Sequence, residues 1–152
     1  MNVKDELISL VRAFDAAGLP YALCGGLAMA AHGWPRSTMD IDFMIEPVRL
    51  EEAKQVARQL GFNHEPGTVA LQQGTITLVR LVKFSGEDFL PLDLILAGPG
   101  LVEVWTSRET LPTAAGPLSV VSRQGLIAMK KLRGSGVDRD DIEKLGGPDA
   151  NG

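Results

Sequence analysis

The sequence predicts an α/β (α+β) domain built on a mixed central sheet flanked by helices. Segments with apolar residues at helical spacing alternate with strand-like apolar runs along the chain. Between residues 21 and 45 the order is strand, Gly25-Gly26, helix, strand. With 152 residues, 45% apolar and 22% charged, the chain is long enough to bury a core and has ordinary globular composition.

Leu7, Leu10, Val11 and Phe14 share one helical face, which predicts a helix over 5–17 that Gly18 ends. Tyr21–Cys24 reads as a strand, and Leu27–His32 as a short helix after the glycine pair. The run Asp40-Ile41-Asp42-Phe43-Met44-Ile45 reads as the next strand. A helix is expected over about 49–60, stopped by Gly61, then a hairpin of 68–72 with 75–84 across Gln73-Gly74. Phe89–Leu96 is a further strand. A short helix over 101–108, a strand pair ending at 118–121 and a helix from Ser122 complete the domain, expected over 1–145. The Gly- and Asn-containing tail, 146–152, reads as disordered.

Chemistry concentrates in the second strand. Residues i and i+2 of a strand face the same way, so Asp40 and Asp42 project side by side. Neighbouring carboxylates repel unless a positive charge lies between them, and a hard divalent cation such as Mg²⁺ supplies it. Upstream, Gly25-Gly26 stands where a strand turns into a helix, and glycines there let backbone N–H groups approach an anion. A glycine pair is more often a tight turn, and an Asp-x-Asp strand is often just half exposed. Both in this order suggest a phosphate seat beside a metal seat, hence a nucleoside triphosphate.

The segment 22–42, from Ala22 through Cys24-Gly25-Gly26 and Arg36-Ser37-Thr38 to Asp40-Ile41-Asp42, resembles the signature of the DNA polymerase beta-like nucleotidyltransferase superfamily. It is most similar to the minimal bacterial branch of toxin–antitoxin and abortive-infection nucleotidyltransferases. Many members carry Gly-Ser where this chain has Gly25-Gly26, while the tRNA-end-adding branch also uses Gly-Gly. The resemblance implies a nucleotidyltransferase fold and a third carboxylate on a neighbouring strand. Asp93 is the candidate: a lone charge in the apolar run Leu90–Leu96. It is either an exposed residue of an edge strand, which Pro91 would suit, or a buried carboxylate that needs a cation or donors. Its apolar neighbours Leu92, Leu94 and Ile95 favour burial.

On this reading Asp40, Asp42 and Asp93 are both the catalytic and the metal-binding residues, holding two Mg²⁺ ions, with Mn²⁺ as a substitute. Gly25, Gly26, Arg36, Thr38 and Lys130 are the candidate nucleotide-binding residues. Arg36 has the fork that matches phosphate, or it pairs with an acidic neighbour. Thr38 bonds to phosphate or to backbone. Lys130 lies four residues after Leu126, within the apolar stripe of the last helix, and either reaches the cleft or snorkels to water. Lys131 is a weaker candidate. In similar enzymes a helix ending in Ile-Ala-x-Lys precedes a short acidic helix, as with Asp138–Ile142 here, but Arg139 and Asp141 read best as a solvated face. His32 reads as a helix cap, His64 as an exposed loop residue and Cys24, the single cysteine, as a small buried residue.

A net charge of −4 and a pI near 5.1 argue against a broadly basic surface for long nucleic acids. Arg123, Lys130, Lys131 and Arg133 on one helix still allow a local basic channel. The resemblance implies a nucleoside triphosphate as one partner and an acceptor hydroxyl on a protein, a tRNA 3′ end or a small molecule such as an aminoglycoside. The toxin–antitoxin likeness favours a protein or tRNA, with a partner protein or a homodimer completing the substrate surface. A non-catalytic binder of nucleotide or partner is the competing class. No membrane span or signal peptide is legible, so the expected location is the cytoplasm.

Overall fold

The computed structural model describes residues 1–34, 37–71, 76–133 and 145. Asn2 opens the first helix, α1 (Val3–Ala16), by accepting a hydrogen bond from the Asp5 N–H. Strand β1 (Ala22–Cys24) runs directly into α2 (Gly25–Ala31), so the glycine pair forms the first residues of that helix rather than preceding it. His32 caps α2, and its Nε2–H donates to the Val121 carbonyl at 2.9 Å, the structural role read from the sequence. Strand β2 is Ile41–Ile45, with Asp40 just ahead of it. A 3₁₀ turn over Pro47–Arg49 leads into α3 (Leu50–Gln59). Gly61, at φ +101°, ends it in a conformation that costs glycine little.

The hairpin follows as β3 (His64–Leu71) and β4 (Ile76–Ser85), and its turn lies outside the described residues. His64 is not a loop residue: it starts β3, exposed, with its ring edge-on to Phe84 at 5.7 Å. β3 is longer than its apolar pattern suggested, and its register shifts between His64 and Gly67, the stretch that contains Pro66. Strand β5 (Asp88–Leu96), α4 (Val102–Thr106), β6 (Glu109–Thr113), β7 (Gly116–Val120) and α5 (Arg123–Arg133) complete the order. Ser122 caps α5 by accepting from the Gly125 N–H at 3.0 Å.

Seven strands form one sheet in the order β3-β4-β5-β2-β1-β7-β6. β5 runs parallel to β2, and β1 parallel to β7; the remaining neighbours are antiparallel, so the sheet is mixed as expected. β5 is therefore an interior strand, which rejects the edge-strand alternative for Asp93. Pro91 is tolerated because it pairs with Val82 of β4, while the ladder to β2 begins one residue later, at Leu92. On one face of the sheet Phe43 meets Phe14 of α1 and Tyr21 with ring centroids 5.2 and 5.3 Å apart, and α1 packs beside α3. Asp42, adjacent to Phe43, points to the opposite face. No helix among the described residues is long and apolar enough to cross a membrane.

Candidate active site

The site is built by register. Cys24 on β1 pairs with Asp42 on β2, Asp42 pairs with Asp93 on β5, Asp93 with Arg80 on β4, and Arg80 with Gly67 on β3. Directly paired residues share a face, so this row runs across the sheet on the side away from the aromatic cluster. Asp40 joins it from the end of the preceding loop. One carboxylate oxygen from each of Asp40, Asp42 and Asp93 lies within 4.8 Å of the others. Three acceptor-only oxygens at that spacing suit a hard divalent cation, so the residues fit the Mg²⁺ that the sequence implied.

Each carboxylate is held differently. Thr38 donates its hydroxyl to Asp40 Oδ1 at 3.1 Å, with the Asp40 carbonyl at 3.2 Å, so this threonine orients the first aspartate. Asp42 abuts the glycine pair: a Cβ built on Gly25 would lie 2.1 Å from its Oδ2. Gly25 also has φ +69°, so both backbone conformation and space demand glycine here. Asp93 is 4% exposed and receives a bidentate ion pair from Arg80, Nε to Oδ1 at 2.8 Å and Nη2 to Oδ2 at 2.9 Å.

Arg80 is the site residue that sequence reasoning missed. Its signal was present: it is the lone charge in the apolar segment Leu78–Val82, one hairpin away from the lone charge Asp93. The Asp93 carboxylate pushes the Arg80 pKa up, with Asp40 and Asp42 adding to it. Cys24 is fully buried, and its thiol is pushed well up, first by burial and then by Asp42 and Asp93, while the charge of Lys130 opposes them. That thiol is inert. Lys130 and the carboxylates thus act with opposite sign on the same thiol. Lys130 is 6% exposed, and Lys131 is exposed. Leu126, Ile127 and Met129 are buried around it, as their spacing predicted. Arg36, Arg139 and Asp141 lie outside the described residues.

A hollow of about 490 Å³ lies beyond the other end of β1, lined by Asp15, Tyr21, Arg108 and Glu109 among others, and contains none of the three carboxylates. Burial raises the pKa of the Tyr21 hydroxyl there, and that hydroxyl accepts from the Ser119 N–H.

Comparison with solved structures adds the decisive likeness. The lincosamide antibiotic adenylyltransferase LnuA, solved with lincomycin bound, superposes with a TM-score of 0.58 at 15% identity, covering 94% of this chain and 96% of that one. The enzyme ANT(2″)-Ia, in complex with adenylyl-2″-tobramycin, gives 0.60 at 18% identity, covering 91% and 84%. A candidate nucleotidyltransferase of Thermotoga maritima gives 0.55 at 12%, covering 95% and 96%. The fold is the nucleotidyltransferase fold. At these identities the likeness concerns the fold alone, and neither a family model nor a curated protein sequence matches the chain.

Proposed function

We propose that this protein is a divalent-metal-dependent nucleotidyltransferase that moves a nucleoside monophosphate from a nucleoside triphosphate to an acceptor hydroxyl, releasing pyrophosphate. The convergence of Asp40, Asp42 and Asp93 within 4.8 Å beside the Gly25 backbone carries this reading. Two carboxylates alone could hold a cation without turnover. A third, brought in from another strand, argues for the enzyme over the non-catalytic binder.

Asp40, Asp42 and Asp93 would hold Mg²⁺, two ions being the expected complement and Mn²⁺ a substitute. When bound, the metal supplies a lowered pKa at the attacking hydroxyl and charge neutralisation on the leaving pyrophosphate. The protein's own groups do the rest. The Gly25-Gly26 backbone holds the β- and γ-phosphates in line, with Arg36 and Lys130 as cationic contacts. Thr38 keeps the Asp40 carboxylate aimed into the site and is a candidate phosphate donor. The acceptor oxygen bonds to the α-phosphorus as the bond to pyrophosphate breaks, and Asp93 takes the hydroxyl proton.

The resemblance of residues 22–42 to the toxin–antitoxin branch favours a protein or tRNA acceptor, with a partner protein or second copy supplying part of its surface. A small-molecule acceptor stands equal to it, because LnuA and ANT(2″)-Ia align over nearly the whole chain and are solved with antibiotics. Action in the cytoplasm accords with a triphosphate substrate.

The test is transfer of label from α-labelled ATP, CTP, GTP and UTP with Mg²⁺ to cell RNA, cell protein, aminoglycosides or lincosamides. Asp42→Asn is expected to lower transfer at least about a hundredfold while leaving the melting temperature near that of the wild type. Undiminished transfer in that variant overturns the assignment.

A further inference from the structure

This inference rests on the nucleotidyl-transfer reading of the same site and concerns what neutralises it. Three carboxylates within 4.8 Å concentrate negative charge where Asp93 is almost wholly buried, an arrangement that needs a counter-charge. Both oxygens of Asp93 are engaged by Arg80. Arg80 contacts Asp93, and Asp40 and Asp42 add to the negative charge around its guanidinium.

Two features make this cation displaceable. The Arg80 side chain is 43% exposed against 6% for Asp93, so the guanidinium reaches in from solvent and is not walled into the core. On its far side the paired position on β3 is Gly67, where a Cβ would meet nothing within 4 Å, leaving open space beside the arginine. A buried cation with a filled flank could not leave without repacking, and neither condition holds at Arg80.

We propose that Arg80 is a displaceable counter-cation that neutralises Asp93 until a divalent cation enters, and that it competes with that cation for the Asp93 carboxylate. No covalent bond changes: the guanidinium stays protonated and turns from Asp93 towards the open side at Gly67. The exchange also frees an Asp93 oxygen, which an acceptor of the substrate proton requires. Arg80 is thus a positioning residue that acts through Asp93, and it sets how tightly the site takes its metal.

The experiment is Mn²⁺ titration by calorimetry, with thermal melts in EDTA and in saturating Mn²⁺. It uses the full chain, Arg80→Gln, Arg80→Lys and Asp42→Asn. Arg80→Gln is expected to melt below the wild type in EDTA, to bind Mn²⁺ about three- to tenfold tighter because a nearby positive charge is gone, and to regain the wild-type melting temperature once Mn²⁺ saturates. Arg80→Lys, which keeps the charge but loses the fork, falls between them. Unchanged or weaker Mn²⁺ binding by Arg80→Gln, or a melting deficit that persists in Mn²⁺, overturns the inference and leaves Arg80 a structural tie. If the wild type binds Mn²⁺, Asp42→Asn does not, and Arg80→Gln matches the wild type, only this inference falls. If the wild type binds none, the transfer reading falls with it.

Discussion

Gly25 lies so close to Asp42 that a single methyl group would overlap the carboxylate, and its positive φ adds strain for any other residue. Gly25→Ala is expected to cost about 1–3 kcal/mol of stability in urea unfolding. The added carbon must also push Asp42 out of the row, so nucleotidyl transfer should fall far more than stability does. Retained transfer with lowered stability would mean that Asp42 can yield without loss of the site. Glycine pairs are common in turns, and the feature legible in advance was their place between a strand and a helix upstream of Asp40 and Asp42. The 2.1 Å clearance was not legible, because it depends on how β1 and β2 pair. Thr38 is similar: its hydroxyl was a plain donor in the sequence, and only the loop geometry ahead of β2 aims it at Asp40.

Among the elements, β5 shows how register makes the site. Its parallel pairing with β2 sets Asp93 beside Asp42, and a slip of one residue would turn Asp93 to the opposite face. The apolar run around Asp93 predicted a buried strand correctly, whereas Pro91 pointed to an edge. Proline excludes only one hydrogen bond, and β5 needs none towards β2 at that position. The hairpin beside it is anchored to α3 by Glu65, whose carboxylate pairs with Lys54 at 3.1 Å and Arg58 at 2.8 Å. Lys54 first, then Arg58, holds the Glu65 pKa below the usual glutamate range. A depressed folded-state pKa means the stabilisation is complete above the ordinary glutamate range and disappears as pH falls through the lower, folded value. Glu65→Gln should therefore cost a few tenths to about 1 kcal/mol at neutral pH, less at high salt, and nothing once the wild-type carboxyl is protonated. Melting curves of both proteins from neutral to strongly acidic pH check this; a gap that persists in acid would assign the effect to packing.

In the whole molecule the two faces of the sheet divide the work. One carries the cluster of Phe14, Tyr21 and Phe43 under α1, and the other carries the carboxylate row. Phe14 has no exposed surface, so Phe14→Ala should destabilise by about 3–5 kcal/mol, and calorimetry should show a melting temperature lower by on the order of 10 °C. Mn²⁺ should raise the melting temperature of that variant as it does the wild type's, since the row lies on the opposite face; loss of the response would mean the faces are coupled. Periodicity and turn chemistry were enough to outline the helices, the strands and the hairpin, because each depends on residues only a few positions apart. They were enough for Asp40 and Asp42 too, which lie only two residues apart where β2 begins. Asp93 was recognisable only as a charge that burial would make costly, and its meeting with Asp42 needed a parallel pairing across α3 and the hairpin. Arg80 went unrecognised for the same reason. An ion pair between two interior strands is a property of register, and register is decided by the packing of the whole sheet rather than by any local run of residues.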